Sequence, residues 1–150
     1  MQIVRAKLAD AAALTDIAFA AKRHWGYPEQ WMESWRDALT IRPEFIASHE
    51  TYIAHLEGRI VGFYALGQPA GQIQLLHLWV LPAAMGRGVG RGLFKHAIAT
   101  AKELGCREFE IESDPNAEGF YRHMGAQRVR ESIVILDGQS RELPVLIYKL

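Results

Sequence analysis

Cysteine is nearly missing from this chain of 150 residues, in which Cys106 stands alone. One thiol forms no intramolecular disulfide and leaves no cysteine pair for a structural zinc site. A reducing compartment, an inert buried thiol and no metal are therefore the expectations. Excess charge of one sign is missing too: 17 basic residues balance 17 acidic ones, and no run of five like charges occurs. Nucleic-acid binding draws most of its affinity from neutralised phosphates, so no nucleic-acid partner is expected. Long apolar runs are absent, because the longest, from Leu75 to Leu81, is interrupted by His77 and is far too short for a membrane span. The opening MQIVRAKLAD carries Arg5, Lys7 and Asp10 where a signal peptide needs an apolar stretch. A cytoplasmic protein with no membrane partner is the reading. Repeats, linkers and low-complexity stretches are likewise lacking, and residues 1–150 are expected to form a single domain.

What is present is a clear alternation of periods. Gln2 to Lys7 reads as a strand, and Asp10 as the N-cap of a helix carrying Leu14, Ile17, Ala18 and Ala21 on one stripe and ending near His24. Gly26 breaks the pattern. Pro28 suits the first turn of a second helix with Trp31, Trp35, Ala38 and Leu39 on one face, and Pro43 closes the helical region. From Thr51 the period becomes two. Strands Thr51 to Glu57, Arg59 to Leu66 and Gln72 to Leu81, joined by turns at Glu57-Gly58-Arg59 and Gly67 to Gly71, predict an antiparallel meander. LLHLWV, apolar on both faces, marks the third of these as central.

A helix with Leu93, Phe94, Ala97, Ile98, Ala101 and Leu104 on one side follows, stopped by Gly105. Arg107 to Ser113 is a strand, and strand, helix, strand implies a parallel crossover. Asp114 and Pro115 open a short helix through Tyr121, and strands Gln127 to Leu136 and Leu143 to Lys149 flank a loop over Asp137 to Arg141. The order β-α-α-β-β-β-α-β-α-β-β predicts an α+β fold, a mostly antiparallel mixed sheet of about seven strands flanked by about four helices.

Gly86, Gly88, Gly90 and Gly92 alternate in GRGVGRG, where the central strand gives way to a helix. Glycines let backbone N–H groups approach a ligand closely, and a helix N-terminus adds roughly half a positive charge, so the place suits a phosphate. Arg87 and Arg91 add formal charge. The glycines do not fit G-x-G-x-x-G, and no Gly-Lys-Ser/Thr follows, so neither nucleotide fingerprint is satisfied. The stretch VLPAAMGRGVGRGLF, Val80 to Phe94, resembles the signature Arg/Gln-x-x-Gly-x-Gly/Ala of the GNAT superfamily of acetyltransferases, with Gly88 and Gly90 on its two small positions. Met85 departs from it, standing where Arg or Gln is usual. The order of elements matches that family over nearly the whole chain.

The resemblance implies acetyl-CoA as cosubstrate, held by Leu78, Trp79 and Val80, by Met85, Gly86, Arg87, Gly88, Val89, Gly90 and Arg91, and by Asn116 and Phe120. It also makes DPNAEGFYRHMG, Asp114 to Gly125, the stretch that supplies a tyrosine to the coenzyme sulfur, here Tyr121. A phenol with pKa near 10 can protonate a thiolate whose free pKa is near 8.5. Acyl transfer to an amine also needs the amine neutral, which costs about 4 to 5 kcal/mol at pH 7. His77 on the central strand and Glu112 at the end of the next are the candidate bases, beside a water relay, with His24 third. Trp25, Tyr27 and Trp31, with His24, are the candidate acceptor pocket, since aromatic walls bind cationic amines, while the helical spacing of Trp31 and Trp35 also suits core packing. The acceptor is read as the amine of a small molecule, with a protein N-terminus or lysine, or a non-catalytic acyl-CoA-binding module, as alternatives. A homodimer is left open.

Overall fold

Alternation of buried side chains on both faces explains why one strand pair organises the chain. In a computed structural model, which describes residues 1–69 and 71–150, β3 (Arg59–Gly67) buries Phe63 on one face and Tyr64 on the other, both at 0% exposure. β1 (Gln2–Arg5), β2 (Glu50–Leu56), β3 and β4 (Gln74–Val80) pair antiparallel in chain order. β5 (Glu108–Glu112) lies parallel to β4, and β7 (Gln139–Lys149) lies between β5 and the edge strand β6 (Gln127–Leu136). The seven-stranded order is β1-β2-β3-β4-β5-β7-β6, with β4 in the middle, as its apolar run predicts.

One core lies under α5 (Val89–Glu103), where Leu93, Phe94 and Ala97 meet Tyr64, Leu66, Phe109 and Ile111. The other lies under α1 (Ala11–Arg23), where Leu14, Ile17 and Ala18 meet Ile53 and Phe63. Each buried Leu, Ile or Phe is worth about 1.5–3 kcal/mol. Gly62 allows α5 to sit close to the sheet: a Cβ there would fall 2.8 Å from the Trp79 carbonyl oxygen and 3.1 Å from Leu93.

Local chemistry corrects several details. The second helical region is three short helices, α2 (Glu29–Ser34), α3 (Arg36–Leu39) and α4 (Pro43–Ser48), because Trp35, at φ −92° and ψ 3°, leaves the helical basin. Pro43 opens α4 at its first turn and does not close the region. With α6 (Glu118–His123) the described residues form six helices where the sequence reads about four. The Asp10 carboxylate accepts from the Lys7 N–H at 2.8 Å and does not cap α1. Leu104, expected on the buried side of α5, is 49% exposed, and Cys106 is half-buried. The expected loop over Asp137 to Arg141 is a two-residue hairpin turn. Asp137 and Gly138 both take positive φ, 52° and 72°, which matches the twist of paired strands. The turn expected over Gly67 to Gly71 includes Ala70, which lies outside the described residues.

Candidate active site

After Val80 the chain makes a 3-10 turn over Pro82–Ala84, and Met85 donates its N–H to the Pro82 carbonyl at 3.2 Å. Gly86 and Gly88 then take φ of 78° and 81°, and Gly88 is the left-handed N-cap of α5. A Cβ at either would meet nothing within 4 Å, so these positions need glycine for its backbone and not for room. The first hydrogen bond into α5 runs from the Gly92 N–H to the Gly88 carbonyl. The N–H groups of Gly86 through Arg91 therefore have no acceptor among the described residues, and they sit at the positive end of a 15-residue helix. Gly92 has no positive φ, and a Cβ there would meet the movable end of the exposed Met1 side chain. Arg87 pairs with Glu57 at 3.0 Å on the surface, an interaction worth about 0–1 kcal/mol and easily exchanged for an anion.

Beside this turn the sheet opens. β4 and β5 pair only at Gln74 and Glu110, where the Glu110 N–H donates to the Ile73 carbonyl at 2.9 Å. Leu76 is an extra residue, since Ala65 faces His77 while Leu66 faces Leu75, and the bulge bends β4 away. A cleft results, lined by Leu78, Val80 and Met85 on one side and by Ile111, Glu112 and Tyr121 on the other, with Trp25 also on its wall. The Tyr121 ring packs 5.8 Å from Phe94 and 5.3 Å from Phe120, centre to centre, while its hydroxyl bonds to no group among the described residues. Burial, with the Asp114 charge adding to it, pushes its pKa well above the ordinary 10, so the phenol stays protonated. Phe120 approaches Gly90, with 3.6 Å between its ring and a Cβ built there.

A second cavity adjoins the first. It is lined by Lys22, Trp35, Val134, Arg141 and Leu143, and it shares Trp79, Glu112 and Asp114 with the cleft. Here Lys22 Nζ lies 2.6 Å from Asp114 Oδ2, and the Tyr27 hydroxyl donates to the same carboxylate at 2.9 Å. Burial alone would raise the Asp114 pKa, but the hydrogen bond and charge of Lys22, helped by the Asn116 N–H and Tyr27, outweigh it and hold the group below 3.8. Burial lowers Lys22 from 10.5 despite Asp114. Tyr27 is raised to about 12 by burial and by the Asp114 charge. Arg141 donates to the Tyr27 hydroxyl at 2.5 Å and lies over the rings of Tyr27, Trp31 and Trp35 at 4.9, 5.6 and 5.4 Å.

The predicted residues fall into distinct places. Tyr121, Glu112, Leu78, Val80 and Met85 meet in the cleft, and the exposed Glu112 carboxylate has no partner among the described residues. His77 also borders the cleft, but its ring faces the other core, 5.5 Å from Phe45 and 5.9 Å from Phe63, and its Nδ1 accepts from Trp79 Nε1 at 2.9 Å. Burial, with His49 adding to it, lowers its pKa to about 4, so it is a weak base. Trp25 borders the cleft and not the second cavity, and His24 is exposed and lines neither. Tyr27 and Trp31 line neither cavity and lie against Arg141, and Asn116 donates its N–H to Asp114 at 2.8 Å and its side-chain amide to the Tyr27 hydroxyl at 3.0 Å. Lys22, Asp114 and Arg141 were not foreseen as site residues. They lie 92 and 27 positions apart along the chain, and no local pattern marks them. No group of three or more His, Cys, Asp or Glu among the described residues is placed to hold a metal ion.

The mixed sheet that splays beside its central strand, with a glycine-capped helix at the splay, is shared with solved N-acetyltransferases. The chain belongs to the acetyltransferase (GNAT) family, whose model matches residues 12–126, and so to the acyl-CoA-dependent acetyltransferases. The resemblance read in Val80 to Phe94 and the expected fold class are thereby confirmed. A GCN5-related N-acetyltransferase from Rhodopseudomonas palustris is 25% identical, with a TM-score of 0.82 over 99% of this chain and 95% of that one. A PaiA N-acetyltransferase from Thermoplasma acidophilum, solved in complex with coenzyme A, is 20% identical, with a TM-score of 0.78 over 99% and 98%. A ribosomal-protein-alanine N-acetyltransferase from Brucella melitensis is 20% identical, with a TM-score of 0.74 over 100% of both chains. No curated protein matches the sequence.

Proposed function

We propose that this chain moves an acetyl group from acetyl-CoA to the primary amine of a small molecule, with Tyr121 as general acid and Glu112 as the proton acceptor. The observation that carries the reading is that the cleft and the second cavity meet at Trp79, Glu112 and Asp114, so two ligands entering from opposite sides come together beside Glu112. The cosubstrate fits the donors present. The free N–H groups of Gly86 to Arg91 suit its pyrophosphate, and the open edge of Leu78 to Val80 suits the amides of its pantetheine arm. Bound acetyl-CoA supplies an activated acetyl group on a thiol leaving group.

The protein's part is positioning and proton transfer. Glu112 accepts the proton that the amine sheds as its N–C bond forms, directly or through one water, and Tyr121 donates a proton to sulfur as the C–S bond breaks. Asp114 is a poor base, because its oxygens are occupied by Lys22, Tyr27 and Asn116. The test is calorimetric titration with acetyl-CoA, followed by thiol release over a panel of amines and peptide N-termini. Binding together with a roughly 100-fold loss of turnover in Glu112→Gln is expected. Failure to bind any acyl-CoA overturns the reading, and full activity in Glu112→Gln removes Glu112 from it.

A further inference from the structure

The charges around the second cavity define what the acceptor carries besides its amine, on the acetyltransferase reading above. An aromatic box such as Tyr27, Trp31 and Trp35 commonly receives a ligand cation. Here it is filled by the chain's own cations: Arg141 lies over all three rings, and Lys22 Nζ lies 4.2 Å from the centre of Trp35. A second ammonium at this wall meets like charge.

The two cations face one carboxylate. Asp114 is spent on four donors, namely Lys22 Nζ at 2.6 Å, the Tyr27 hydroxyl at 2.9 Å, and the Asn116 N–H and side-chain amide at 2.8 and 3.0 Å. Arg141 makes one hydrogen bond, to Tyr27, and lies 3.7 Å from Asp114, so most of its five N–H donors have no protein acceptor among the described residues. Its side chain is only 15% exposed and is held by three rings, which makes it a fixed fork on the cavity wall.

The opposite charge stands elsewhere in the same cavity. Glu112 pairs in register with Val145 of β7, and Arg141 lies four residues from Val145, on the same face because side chains alternate with period two. Four residues at about 3.3 Å each separate the two anchor points by roughly 13 Å, which the long Arg and Glu side chains narrow from both ends. One end of the cavity is cationic and the end at the cleft is anionic.

We propose that the acceptor is an amino-carboxylate of amino-acid type, its carboxylate bound by Arg141 with Lys22 beside it and its amine turned to Glu112. Arg141 is then the specificity-determining residue, and Tyr27, Trp31 and Trp35 position it.

Proteinogenic L-amino acids, their decarboxylated amines and short peptides should be compared as acceptors for the intact enzyme with acetyl-CoA, using thiol release. At least one amino acid is expected to exceed its decarboxylated amine by roughly 10- to 100-fold in kcat/KM, the worth of one charged hydrogen bond. Arg141→Gln should collapse that ratio toward one, and Arg141→Lys, which keeps the charge and loses the fork, should retain part of it. Acetyl-CoA titration of each variant separates a lost specificity from a lost fold, and the ratio in the intact enzyme stands by itself if Arg141→Gln does not fold. The inference is overturned if decarboxylated amines or peptides are accepted as well as amino acids, if no amino acid is acetylated although acetyl-CoA binds, or if a folded Arg141→Gln keeps the ratio. Absence of acetyl-CoA binding would instead sink the acetyltransferase reading on which it rests.

Discussion

Replacing Tyr121 by Phe removes one oxygen from the centre of the proposed chemistry and leaves the packing in place. The ring keeps its contacts with Phe94 and Phe120, and the hydroxyl takes no partner among the described residues, so no buried group is orphaned. Stability should change by no more than about 0.5 kcal/mol. Loss of a general acid lowers turnover by about 10²–10⁴-fold, or roughly 3–5 kcal/mol of transition-state stabilisation. Denaturant unfolding of both proteins and thiol release with a good acceptor measure the two quantities. The pH dependence adds a check. Because burial raises the folded phenol above the ordinary value of 10, the unfolded chain releases this proton first, so the native protein loses stability relative to Tyr121→Phe as pH rises past 10. Below that pH both should give turnover profiles of the same shape. A Phe variant of unchanged stability that turns over within three-fold of the parent would refute the acid role and leave Tyr121 as packing.

Two further outcomes follow from other parts of the molecule. Gly62→Ala drives a Cβ to 2.8 Å from the Trp79 carbonyl, an atom of backbone that cannot rotate aside, so a loss of about 1–3 kcal/mol and weaker acetyl-CoA binding are expected by unfolding and calorimetry. Asp114→Asn leaves Lys22 and Arg141 facing each other, and should cost about 3–5 kcal/mol in urea unfolding. Since the folded Asp114 pKa is depressed, its contribution is fully present above 3.8 and is lost as pH falls through the folded value, and the variant should lack that acid-sensitive component.

The sheet was legible because its strands alternate cleanly and its glycines mark their ends. The helices after Gly26 were less so, since one residue, Trp35, interrupts a face that is regular in sequence. The β6–β7 hairpin carries a readable signal in Asp137-Gly138, but Gln139 to Glu142 is polar and looks like loop. On the site, the glycine turn and Tyr121 lie in contiguous stretches with their own chemistry. Arg141 was invisible, because its meaning comes from Tyr27, 114 residues away, and from a hairpin that brings it to the cavity. His77 looked like a base for the same reason, as sequence gives its identity and not the aromatic walls that lower its basicity.

The single rung between β4 and β5 has a consequence for the whole chain. Where two strands share one hydrogen-bonded position, the blocks on either side are joined mainly by side-chain packing, and the main-chain groups at the open edge are solvated. On the proposed reading, a cosubstrate lying along Leu78 to Val80 acts as the absent strand, and its binding energy is also folding energy. At a concentration of 100 times Kd such a ligand adds about 2.7 kcal/mol to stability. The amount of folded protein then follows the supply of its own acyl donor.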